Sequence, residues 1–95
     1  MDALRNIRRK VQAERYRFTD HARGETQDDD LTVADIERAI LNGRIARTLT
    51  DDLRGERHII VGRGHGGELT VVCRILPDEI VRIITVWAGG LDEES

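Results

Sequence analysis

Residues 68–87 read ELTVVCRILPDEIVRIITVW, and the way this stretch pairs with itself decides the fold. The segments 68–76 and 80–87 are rich in β-branched residues and are separated by Pro77-Asp78-Glu79. Apolar, β-branched runs broken by turn formers read as two antiparallel strands. Closing the loop 77–79 sets Leu76 opposite Ile80. The ladder then pairs Ile75 with Val81, Cys73 with Ile83, Val71 with Thr85 and Leu69 with Trp87 on one nearly apolar face. That is the face expected to be covered by helices. Alternation along each strand puts Arg74 opposite Arg82 on the other face. Like charges directly opposite one another repel, so the two arginines call for an anion. It would come from a carboxylate of this chain, from a partner or from a ligand.

Working upstream, residues 57–63 form a third strand candidate, joined to 68–76 by Gly64-His65-Gly66-Gly67. The simplest closure pairs Arg63 with Glu68, turns His58 toward Cys73 and places Arg57 beside Arg74. Arg57, Arg74 and Arg82 would then form one row across three strands. A fourth strand, 44–50, precedes the loop 51–56. Short connections favour an antiparallel meander. Further upstream, Thr32 and Asp35 have the spacing of a capping box, Val33, Ile36 and Ile40 form an apolar stripe, and Asn42-Gly43 suggests a left-handed stop. Residues 2–15, with Leu4, Ile7 and Val11 on one stripe, read as another helix. Between the two helices, residues 16–22 lean toward β structure and lead into an acidic loop, 25–30. The expected fold class is therefore α+β, with two N-terminal helices packed on a four-stranded antiparallel sheet.

The chain of 95 residues is sized for one domain spanning 1–95, with an acidic tail at 91–95. Its net charge of -3 hides a layout: +4 over residues 1–24, -4 over 25–30, balance over 31–91 and -3 over 92–94. No global basic field for nucleic acid exists, although Arg5, Arg8, Arg9 and Lys10 make a local basic stripe. Fourteen of the fifteen cations are arginine, the better fork for planar anions. No apolar run approaches the ~20 residues of a spanning helix, and residues 1–15 carry no apolar signal segment. The expectation is a cytoplasmic protein with no membrane partner.

Catalytic groups are few. Cys73, the single cysteine, is placed in the core, where a thiol acts as filler. His21, His58 and His65 lack helical ligand spacing, so neither a metal site nor a cofactor is expected. The glycine-rich run 62–67 leads into a strand, whereas phosphate-cradling loops lead into a helix, and it reads as a hairpin loop. His21 remains as a general acid or base, beside arginines suited to stabilising a charged transition state. That set fits metal-independent phosphodiester cleavage in RNA. It also fits the simpler reading of a structural histidine and an arginine row stitched to a loop carboxylate on a solvated sheet face.

The segment Tyr16-Arg17-Phe18-Thr19-Asp20-His21-Ala22 resembles the opening of the bacterial DUF4258 family, with its Thr-x-His-Ala signature. Leu31–Ile36, Val61-Gly62, Leu69–Val72 and Ile83–Trp87 are similar to the later parts of that family, so the resemblance spans about 15–88. It implies a RelE-like toxin architecture, related to the RelE/ParE and MqsR-type ribonuclease toxins, and an antitoxin as cognate partner. It also implies a toxin-like endoribonuclease acting on RNA, on the ribosome or free. His21 would be the acid/base, Arg74 and Arg82 would stabilise the transition state, and Arg57, Tyr16 and Thr85 would hold substrate. The chain departs from the family pattern at Glu25, where arginine is frequent four residues after the histidine. The competing expectation is a toxin-like binding module that has lost catalysis. It would grip an acidic partner, or its own tail 92–94, through the arginine row.

Overall fold

The computed structural model describes residues 2–91. It contains three helices, α1 (Ala3–Gln12), α2 (Asp20–Asp28) and α3 (Val33–Asn42). The strands are β1 (Tyr16–Phe18), β2 (Arg44–Leu49), β3 (Arg57–Arg63), β4 (Glu68–Ile75) and β5 (Val81–Ala88). They form one five-stranded sheet in the order β1-β5-β4-β3-β2. The meander β2 to β5 is antiparallel as expected, whereas β1 joins its β5 edge in parallel. The class is α+β, but the sheet is mixed and has one strand more than expected, and there is one helix more. Among the described residues no helix is long and apolar enough to cross a membrane.

Helices α1 and α3 form where local signals are strong. Asp2 caps α1 through Leu4 N–H at 3.0 Å. The capping box of α3 is complete: Thr32 Oγ1 accepts from Asp35 N–H, and Asp35 Oδ2 accepts from Thr32 N–H, each at 3.0 Å. Ile7 and Val11 of α1 and Ile36 and Ile40 of α3 pack with Ile60, Val71, Cys73, Val81, Ile83 and Val86 of the sheet. Burying each isoleucine side chain contributes roughly 1.5–3 kcal/mol. Two residues of the basic stripe of α1, Arg8 and Lys10, are spent on holding the fold together. Arg8 donates to Ile40 O and Gly43 O, capping the C-terminal carbonyls of α3, and Lys10 pairs with Glu79 at 2.6 Å.

Gly43 is not a left-handed stop: its backbone is extended, with φ -92°. Glycine is needed there because a Cβ would press on Ala39 O and Val61 O at 2.5 Å. Gly62 on β3 is still tighter, since a Cβ there would overlap Ala39 of α3. Both glycines let α3 sit close on the sheet, a steric reason that a turn-based reading cannot see.

The β3–β4 register follows the expectation, with Arg63 opposite Glu68 and His58 opposite Cys73. The β4–β5 register follows it only as far as Cys73–Ile83. A β-bulge then inserts Ile84, so Val71 pairs with Val86 and Leu69 with Ala88, not with Thr85 and Trp87. The bulge turns Val86, fully buried, into the core. Thr85 moves to the opposite face, beside Val72.

Candidate anion-binding face

The face turned away from α1 and α3 carries the arginines. Arg74 pairs with Arg82 across β4 and β5, and β1 adds Arg17 opposite Arg82. One step beyond the His58–Cys73 pair, the β3–β4 ladder brings Arg57 beside Arg74. Four neighbouring strands thus present Arg17, Arg82, Arg74 and Arg57 in one row. Thr85 stands on this same face.

The row is only partly neutralised. Asp52, from the loop between β2 and β3, places Oδ2 2.5 Å from Arg74 Nη2 and 3.7 Å from Arg57 Nε. Its Oδ1 accepts from Arg54 N–H at 2.9 Å and lies 3.4 Å from Arg54 Nε. The Arg54 N–H foremost, then the charges of Arg54 and Arg74, hold Asp52 below the usual carboxylate range. Asp51, largely exposed, reaches Arg57 at 3.8 Å. Arg74 is only 5% exposed. The Nε–H groups of Arg57 and Arg74 are buried with no acceptor. Buried polar groups normally find a partner, so these two donors mark an incomplete arrangement. At the other end, Arg17 and Arg82 are exposed, with no acceptor among the described residues. They border a shallow cavity of about 290 Å³ together with Phe18, Thr19 and Leu76.

His21 stands on α2, 69% exposed, with Nε2 3.3 Å from Glu25 Oε2. No hydrogen bond or ion pair joins it to the arginine row among the described residues. The two neighbours that make up its motif have structural work. Thr19 Oγ1 accepts from Ala22 N–H to cap α2 and donates to Ile84 O at the bulge, while Ala22 is fully buried. Residues 25–28, expected in an acidic loop, are helical, and the carboxylates of Glu25 and the C-cap Asp29 face a strand edge. Glu25 Oε1 accepts from Val86 N–H at 2.9 Å, and Asp29 Oδ2 from Ala88 N–H at 3.0 Å. They complete the edge of β5 beyond the reach of β1.

Tyr16 lies on the helix-covered face, away from the arginines, and donates its hydroxyl to Glu37 of α3. Burial, with Glu37 adding, pushes Tyr16 up to about 12. His65 sits in the β3–β4 loop, where its N–H and Nδ1 meet Asp35 Oδ1 at 2.9 and 2.8 Å. The backbone N–H groups of His65 and Thr32 hold Asp35 well below the usual carboxylate range. His58 and Cys73 are buried side by side in the sheet. Among the described residues no three His, Cys, Asp or Glu side chains converge as a metal site would require.

Sequence reasoning missed Asp52 and Arg17. For Asp52 the only signal was two aspartates in the loop entering β3; for Arg17 it was one arginine between Tyr16 and Phe18 in a short extended piece. The acidic tail 92–94, expected to fold over this face, lies outside the described residues.

The sequence matches the DUF4258 family, a domain of unknown function, over residues 18–88. The chain belongs to the DUF4258 family. The matched stretch begins inside β1 and ends with β5, so the DUF4258 part of the chain holds α2, α3, four complete strands and most of the arginine row. No curated protein and no solved structure matches the chain.

Proposed function

We propose that this DUF4258 protein is a binding module that grips an acidic protein partner through the row Arg17–Arg82–Arg74–Arg57. The observation that carries this reading is the seat of Asp52: a protein carboxylate already occupies part of the row. Arginine forks suit carboxylates in bidentate geometry, and the free arginines at the other end leave room for more of them. The net charge of -3 disfavours a long nucleic-acid track. In a toxin-like setting of RelE type, the natural partner is a cognate antitoxin presenting an acidic segment.

One observation favours a second reading, the metal-independent endoribonuclease. Within Thr19-Asp20-His21-Ala22, the histidine is the motif side chain the fold does not use, and Glu25 stands where it would orient the ring. Against it, His21 shares no hydrogen-bonded group with the arginines among the described residues, and the acidic side chains of α2 repel phosphate. A single experiment separates the two. Anisotropy titrations use a labelled hexaglutamate peptide and a labelled single-stranded RNA, with EDTA present and RNA integrity followed on gels. Peptide binding weakened at least 5-fold by Arg82→Ala, with intact RNA, supports the binding module. RNA cleavage abolished by His21→Ala would instead establish the enzyme.

A further inference from the structure

Resting on the binding-module reading, we propose that the loop 50–56 is a built-in plug: Asp52 occupies the seat that a partner carboxylate takes, and binding displaces it. Three features of the loop point the same way. First, the plug fits its site poorly. Asp52 divides its oxygens between Arg54, Arg57 and Arg74, and the Nε–H groups of Arg57 and Arg74 stay without an acceptor. A segment carrying several carboxylates supplies the missing acceptors and also reaches Arg82 and Arg17, which Asp52 does not. Second, the loop has its own handle. Leu53, next to Asp52, is fully exposed at 104%, a large apolar side chain left in water. An apolar group flanking the partner's acidic residues would cover Leu53 as it draws the loop aside. Third, the loop is built to move. Gly55 adopts φ +116°, a conformation glycine reaches without strain, and a Cβ there would meet nothing within 4 Å. Apart from Asp52, the side-chain ties of the loop 50–56 to the sheet among the described residues are two long ion pairs, Asp51–Arg57 at 3.8 Å and Glu56–His58 at 3.9 Å.

The competition is between an intramolecular carboxylate at high effective concentration and a multivalent one from outside. Neutralising Asp52 removes the competitor but keeps an oxygen acceptor for Arg74. The test titrates the labelled hexaglutamate peptide into the wild type and Asp52→Asn, with Arg82→Ala as the reference for a damaged seat. The expected result is tighter binding by Asp52→Asn, by at least 5-fold, and weaker binding by Arg82→Ala. Equal affinity for wild type and Asp52→Asn, with Arg82→Ala still weakened, overturns the plug and leaves the binding module standing. No peptide binding by either protein overturns both. Tighter binding of RNA but not of peptide by Asp52→Asn assigns the seat to phosphate and overturns the acidic-peptide occupant. Should Asp52→Asn fold poorly, amide exchange in the wild type gives the answer. The Arg54 N–H, held by Asp52 Oδ1, is expected to exchange at least 5-fold faster when peptide saturates the protein. Unchanged exchange at saturation overturns the displacement.

Discussion

Single side chains in this protein are often doing something other than their type suggests. Cys73 is a clear case. It is fully buried beside His58, and burial pushes its thiol up to about 12. The thiolate is the reactive form, so the native protein is expected to resist a thiol reagent at pH 8 and to react only as it unfolds. Labelling followed against urea should track the unfolding curve; rapid labelling without denaturant would contradict the core placement. The core role of Cys73 was legible in the sequence because it sits in phase with Val71 and Ile75 on an apolar strand face. The role of Asp52 was not. Two adjacent aspartates in a loop carry no period, and only the folded sheet shows which one meets a buried guanidinium. Tyr16 was equally opaque. Alternation in so short a strand fixes a face only when its neighbour is known, and that neighbour, β5, lies 65 positions away at the Tyr16–Val81 pair.

At the scale of elements, helix α2 stands apart. It buries one residue, Ala22, and has no apolar stripe to announce it. Its stability comes from both ends of a small network on β5: Thr19 at the cap and bulge, then Glu25 and Asp29 on strand N–H groups. Hydrogen-bond contacts between residues 61 and 59 positions apart are invisible to pattern reading, which is why the acidic run read as a loop. The bulge at Ile84 escaped for a related reason. A strict ladder and a bulged one are equally good locally, and the choice is made by whether Val86 or Thr85 fills the core. The β3–β4 hairpin and the α3 capping box were legible because both are set by residues a few positions apart. Two variants test the network. Thr19→Ala removes a helix cap and an acceptor's partner, and Glu25→Ala uncovers Val86 N–H. Each is expected to cost about 1 kcal/mol in urea denaturation. Glu25→Ala should also speed amide exchange at Val86 while leaving Val71 protected. Uniform loss of protection across the sheet would show that α2 is not a separable element.

For the whole molecule, acid is the revealing variable. His58 is buried, accepts or donates at Nδ1 toward Thr48 Oγ1 at 3.1 Å, and burial lowers its pKa below 6.5 although Glu56 pulls the other way. The folded state therefore keeps it neutral while the unfolded chain already takes up a proton. Its contribution is fully present above 6.5 and is lost as pH falls from there through the lower folded value. Asp35 and Glu79, both held below the usual carboxylate range, lose their contributions at lower pH still. Urea midpoints should thus begin to drop below pH 6.5, and a His58→Gln variant should flatten the first part of the fall; an identical profile in the variant would exclude His58. The overall layering, helices on one face and arginines on the other, was legible from strand alternation. The closure of the sheet was not, because β1 is short, parallel and distant in sequence. That closure has a consequence for how the protein is made. Tyr16, Arg17 and Phe18 leave the ribosome early, yet their place in the sheet exists only after Val81–Ile83 has followed. The helices and the β2–β4 hairpins can settle during synthesis, while the Arg17–Arg82 end of the row assembles last. Any capacity to bind a partner there is withheld until β5 has been translated.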